Sequence, residues 1–85
     1  MKLDERTLRL IAVGASITAN CQPCLQINVA KALERGADEQ EIADAIQVGK
    51  MVRQGAASKM DKFASSLDYA TLSASAANGG CGCSS

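Results

Sequence analysis

Between Asp38 and Phe63 the chain repeats apolar or small side chains at three- and four-residue steps: Ile42, Ala45, Ile46, Gly49, Val52, Ala56, Met60 and Phe63. That period lines one face of a helix, whereas a strand needs alternation at every second residue. Asp38 followed by Glu41 supplies a capping box, so a long helix is expected to open there. Gly49 and Gly55 fall inside it, where each costs roughly 1 kcal/mol relative to alanine. They read either as points of close approach by another helix or a kink, or as a mere weak point before Ala56.

Two shorter helices are expected upstream. Asp4 and Glu5 provide an N-cap for a helix over about residues 4–18, with Leu8, Ile11, Ala12 and Ala15 on one stripe and Leu10, Val13 and Ile17 on another. A helix apolar on two sides must be covered on two sides. Asn20 is a good N-cap, and Pro23 suits a first turn because its missing N–H goes unused there. A second helix therefore begins at Cys21, buries Leu25, Val29, Ala32 and Leu33, and ends at Gly36, which accepts the left-handed conformation of a helix stop. With no strand pattern and no internal repeat, the fold class is all-α.

The core has to be aliphatic, because the 85 residues include one Phe, one Tyr and no Trp. Such a core is thin, and domains this small often gain burial from partner subunits, so a homo-oligomer is expected. Nine basic and nine acidic residues cancel, which leaves no basic field for nucleic acid or anionic lipid. An apolar run over residues 10–19 is too short to span a bilayer. Asp4, Glu5 and Asn20 also disagree with a lipoprotein-type signal, so the reading is a cytoplasmic protein without a membrane role. From Ser65 the composition turns to Ser, Ala, Gly and Asn. This divides the chain into a helical domain, residues 1–66, and a flexible tail, residues 67–85, that ends in Cys81-Gly82-Cys83. Leu67, Tyr69 and Leu72 can support a short docked helix at the start of that tail.

The four cysteines form two tight pairs rather than the dispersed pattern of a secreted disulfide framework. Cys21 and Cys24 stand at a helix start, where free N–H groups and the helix dipole favour a thiolate. The two-residue spacer lets the sulfurs close into a disulfide after one has attacked a partner. Redox chemistry competes here with zinc or copper binding. Structural zinc generally needs four ligands, which this chain reaches without histidine only by adding Cys81 and Cys83. Asn28 lies one helical turn beyond Cys24 and should sit against it; unlike histidine, asparagine cannot carry a proton.

The chain resembles the alkylhydroperoxidase D-like group of the carboxymuconolactone decarboxylase family. The matching residues are the apolar first helix, Asn20-Cys21-Gln22-Pro23-Cys24, Lys31-Ala32-Leu33-Glu34-Arg35-Gly36-Ala37, Glu41-Ile42 and Gly49-Lys50-Met51-Val52-Arg53-Gln54. The resemblance implies an antiparallel helical bundle that assembles into trimers or hexamers, with the dithiol near a subunit interface. It also implies reduction of peroxides or disulfides, with electrons from a lipoyl or other dithiol partner. In that group the second cysteine works with a histidine and a glutamate. Here Asn28 stands at the histidine position and Arg9 at the glutamate position, so both proton-relay members differ.

The sequence therefore reads as a thiol–disulfide oxidoreductase with Cys21 and Cys24 as catalytic residues and no cofactor. Its substrate is a disulfide, or less readily a peroxide, and its reductant a lipoyl-, thioredoxin- or small-thiol-type donor. Asn28 and Arg9 are candidate supporting residues, with an exposed, uninvolved Arg9 as the alternative. Exposure at the helix start favours Cys21 as the attacking thiol, whereas the family pattern points to Cys24. Cys81 and Cys83 are a candidate redox relay, with soft-metal binding or no role as the alternatives. The runner-up for the whole chain is a non-enzymatic thiolate metal-binding protein.

Overall fold

Asp4 starts the first helix by accepting a hydrogen bond from the Thr7 N–H at 2.7 Å. That bond, supported by the Thr7 hydroxyl, holds the Asp4 carboxyl below the usual carboxylate range. In the computed structural model, which describes residues 1–76, the helices are α1 (Glu5–Thr18), α2 (Gln22–Glu34), α3 (Glu39–Ser65) and α4 (Tyr69–Ala76). The fold is all-α, with no strand among the described residues. No helix among them is long and apolar enough to cross a membrane.

Both α2 and α3 pack on α1 and touch each other only slightly, so α1 is the central element. The core is small: Val13, Ala32, Ala37 and Ile42 are buried, with Leu10, Leu25, Val29, Ala45 and Ile46 packed around them. Val13 belongs to the second of the two apolar stripes on α1, and that stripe faces the core. The first stripe faces outward in part: Ile11 and Ala15 are exposed and line an apolar cleft of about 600 Å³ between α1 and α3.

The capping box at α3 is complete. Asp38 accepts from the Glu41 N–H at 2.8 Å and Glu41 accepts from the Asp38 N–H at 3.1 Å. Glu41 also pairs with Arg6, which ties the starts of α1 and α3 together. α3 has 27 residues against 14 in α1, and at about 1.5 Å per residue its second half outruns its partners. Met60 and Phe63, on the apolar face of α3, are therefore more than half exposed, whereas Val52, level with the end of α1, is exposed on the cleft between the two helices. Leu33 on α2 is also exposed, because Ala32, not Leu33, turns into the core.

Gly49 marks the close approach. A Cβ there would lie 2.3 Å from the Gly14 carbonyl oxygen and 2.8 Å from Ile17 Cβ. Thr18 strengthens the crossing, with its hydroxyl 3.0 Å from the Gly49 carbonyl and 3.2 Å from that of Gly14. A Cβ on Gly55 would meet nothing within 4 Å among the described residues, so of the two glycines only Gly49 has a packing reason there.

The trio Leu67, Tyr69 and Leu72 does not form a docked patch. α4 exists and its start is capped by Asp68, whose carboxyl is held low chiefly by the Thr71 hydroxyl. Tyr69 is nevertheless 75% exposed, and among the described residues α4 packs on none of the other helices. The helix falls within the segment assigned to the tail, and Cys81 and Cys83 lie outside the described residues.

The two α3 glycines give a paired prediction, read from urea denaturation. Gly49→Ala should destabilise by roughly 1–3 kcal/mol, the range for overpacking. Gly55→Ala should be neutral or stabilise by about 0.5–1 kcal/mol, since an open helical site gains from alanine. Equal midpoint shifts for the two variants would contradict the tight α1–α3 crossing.

Candidate functional site

The site is built on the reversal between α1 and α2. Asn20 adopts φ 55°, a left-handed conformation that asparagine tolerates better than most residues. Its N–H reaches the Ile17 carbonyl at 3.1 Å and the next N–H, of Cys21, reaches the Ser16 carbonyl at 3.0 Å. These are the two bonds of a Schellman stop. Asn20 is thus the end of α1 rather than the cap of α2 that its residue type suggests. Gly36 ends α2 in the same manner, with Gly36 N–H on Leu33 O at 3.1 Å and Ala37 N–H on Ala32 O at 3.0 Å.

Moving the stop onto Asn20 makes Cys21 the N-cap of α2. Its Sγ accepts a hydrogen bond from the Cys24 N–H at 3.3 Å. Pro23 has no N–H, so Cys24 is the donor at the third helical position. Cys21 and Cys24 are joined as a disulfide, with Cα atoms 5.3 Å apart. Exposure runs opposite to the expectation: Cys24 is exposed and Cys21 half-buried, because Cys21 leaves α1 through a hydrogen-bonded turn whereas Cys24 projects from the first turn of α2.

Asn28 does sit against Cys24, but through the backbone: its Nδ2 donates to the Cys24 carbonyl at 2.9 Å. Its Oδ1 accepts from Arg9 Nη1 at 3.2 Å. The two positions that differ from the relay residues are therefore in contact with each other. Arg9 is no free surface residue. Its side chain is 28% exposed, its Nε lies 3.8 Å from Glu5 and is buried with no hydrogen-bond partner among the described residues, and it bonds to neither sulfur. The pair ties α1 to the first turns of α2.

Arg53 escaped the sequence reading except as part of a longer stretch. Its Nη1 donates to Asn20 Oδ1 at 2.9 Å and to the Ile17 carbonyl at 3.3 Å. With Cys21, Gln22 and Leu25 it lines a pocket of about 190 Å³. The signal was available: Arg53 is one turn after Gly49, so it shares the face of α3 that approaches α1. Among the described residues no group of three or more His, Cys, Asp or Glu is placed to hold a metal ion.

The model of the carboxymuconolactone decarboxylase family matches residues 1–64, which takes in α1, α2 and all but the last residue of α3. The chain belongs to the carboxymuconolactone decarboxylase family. It is also 40% identical over 55 residues to uncharacterized protein 4 in cox locus of Paracoccus denitrificans, an alignment covering 65% of this chain. The chain spans about half the length of that curated relative, 50% of it being aligned. No solved structure matches the chain. Within the family frame, the match covers Arg9, Cys21, Cys24, Asn28 and Arg53 and ends short of Cys81 and Cys83.

The Arg9–Asn28 contact gives a double-mutant test. Arg9→Met and Asn28→Ala should be non-additive in urea denaturation by at least about 0.5 kcal/mol, as for residues in one hydrogen-bonded network. Additive losses would remove the contact from the account.

Proposed function

We propose that this protein is a thiol–disulfide oxidoreductase of the alkylhydroperoxidase D-like type, with Cys21 and Cys24 as its catalytic residues. The observation that carries the reading is the capping of α2 by the Cys21 sulfur, joined to a second cysteine in the first turn. Once the disulfide is reduced, the Cys24 N–H that the Cys21 sulfur caps, together with the helix dipole, favours the Cys21 thiolate.

Reaction then follows from which sulfur is the better anion and which is the more open. The Cys21 thiolate attacks one sulfur of a substrate disulfide, which expels a thiolate and leaves Cys21 in a mixed disulfide. Cys24 resolves it by attacking Cys21 Sγ and closing the bond present in the structure. The reductant enters from the other side of the cycle: its thiolate attacks exposed Cys24, and Cys21 departs as the stabilised anion. A lipoyl-, thioredoxin- or small-thiol-type dithiol suits that step. Cys81 and Cys83 are proposed as an intramolecular relay to the same exposed sulfur.

Peroxide reduction is the slower activity on this reading. Protonating the leaving hydroxide is a general-acid task, and neither Asn28 nor Arg9 can exchange a proton near neutral pH. A homotrimer or homohexamer is proposed as the working form. The exposed Ile11, Val48 and Val52 along the α1–α3 cleft support it, because a cleft of that composition is suited to cover by another subunit.

Two measurements test the mechanism. With a limiting small disulfide, reduced Cys24→Ser should accumulate a mixed disulfide at Cys21, seen by mass spectrometry, whereas Cys21→Ser should react several-fold more slowly. Trapping at Cys24 in preference to Cys21 would reverse the assignment. Separately, the double variant Arg9→Glu, Asn28→His should speed single-turnover oxidation by peroxide by at least about tenfold, the low end for an added general acid. Its rate should then vary with pH around the usual histidine range, ~6.5. An unchanged, pH-independent rate would show that the missing relay is not what limits peroxide reduction.

A further inference from the structure

The pocket beside Cys21 is formed where three helices meet: Ser16, Ile17 and Asn20 from the end of α1, Gln22 and Leu25 from α2, and Arg53 from α3. Cys21 lines it and Cys24 does not. Arg53 spends only Nη1 on the protein, on Asn20 Oδ1 and Ile17 O. Among the described residues its Nη2 and Nε make no hydrogen bond and no carboxylate pairs with it, while Arg6 and Arg9 are each near a glutamate. Asn20 and the Ile17 carbonyl hold one edge of the guanidinium plane, which leaves a preorganised fork of donors beside a reactive sulfur.

The geometry points to Arg53 as a specificity residue that binds a carboxylate on the substrate arm entering the Cys21 pocket. This rests on the dithiol reading above and adds the substrate class: small disulfides that carry an acid group. Arginine binds carboxylates through paired N–H donors, and such charge-assisted bonds are shorter and stronger than neutral ones. At about 190 Å³ the pocket is below the ~300–1,000 Å³ of sites that enclose a drug-sized ligand. It therefore suits one short arm of a small molecule rather than a segment of folded protein. Leu25 is the apolar residue of α2 in the lining, available to the methylenes between acid and sulfur.

The exchange balances without a further reactant. The Cys21 thiolate bonds to one sulfur of R–S–S–R, the S–S bond breaks, and R–S⁻ leaves with the electron pair. Deprotonated Cys24 then attacks Cys21 Sγ and expels the second R–S⁻. Two electrons pass from the protein dithiol to the substrate, and the two protons given up by the cysteines reappear on two molecules of R–SH.

The test uses the reduced full chain and three probes with two methylenes in each arm: 3,3′-dithiodipropionate, hydroxyethyl disulfide and cystamine, which are anionic, neutral and cationic. Single-turnover rates, each divided by that probe's rate with free cysteine, should favour the anion over the neutral probe by about five- to tenfold, between an exposed ion pair and a charge-assisted bond. The cation should be the slowest. Raising the salt should shrink the ratio. Arg53→Gln should bring the anion-to-neutral ratio to near one, and Arg53→Lys should keep part of it. A ratio near one in the unmodified protein, or one that Arg53→Gln leaves intact while slowing all probes together, would reduce Arg53 to a clamp on the end of α1 and overturn the inference. A second readout is independent of redox activity: 3-(methylthio)propionate, which cannot exchange, should shift the Arg53 Nε–Hε resonance of the oxidised protein, and no shift would count against the pocket. Failure of every disulfide to react, the neutral one included, would sink the dithiol reading itself.

Discussion

The turn through Ala19, Asn20 and Cys21 is the constraint on which the site depends. Because Asn20 takes a left-handed conformation, the Cys21 N–H closes back on Ser16, and α1 ends at Thr18, before it can run into the first cysteine. The sulfur of that cysteine is then left to cap α2. Were Asn20 itself the cap, Cys21 would sit inside the helix and its side chain would have no role in satisfying the free N–H groups. One backbone conformation thus decides that the two sulfurs differ: Cys21 is half-buried and hydrogen-bonded, Cys24 exposed.

The same turn gathers residues far apart in sequence. Asn20 offers its side-chain oxygen to Arg53 of α3, so the end of α1 and the pocket beside Cys21 share a partner. Asn28 in turn carries the contact from the Cys24 carbonyl to Arg9 of α1. The dithiol is therefore braced from both flanking helices. The bracing depends in turn on the α1–α3 crossing at Gly14 and Gly49, where backbones meet with no room for a side chain.

Local signals were legible wherever the physics is local. Asp4, the Asp38–Glu41 box and Gly36 are read from residue type because a cap needs only its own neighbours. The close approach at Gly49 was visible as one of two glycines, but choosing it over Gly55 requires knowing that α3 outlasts α1. Asn20 misled because asparagine is favoured both before a helix and after one, and here the two helices are nearly contiguous. Period alone puts Leu33, Met60 and Phe63 on apolar stripes; burial also needs an opposing surface, and the described residues supply none at those positions. Arg53 was passed over because a charged residue on a long helix resembles many solvated ones until its carbonyl and amide partners are known. Residue type leaves Arg9 open between a supporting role and an uninvolved exposed one, because its contact with Asn28 is a tertiary fact.

The central claim is that Cys21 and Cys24 interconvert as one unit between dithiol and disulfide. Equilibrating the protein across a series of glutathione ratios and counting alkylated cysteines at these two positions by mass spectrometry tests it directly. The account predicts a single two-electron transition in which both cysteines are protected together, without a stable glutathione adduct on either. Independent one-cysteine adducts, or two thiols that stay open to alkylation throughout, would contradict it.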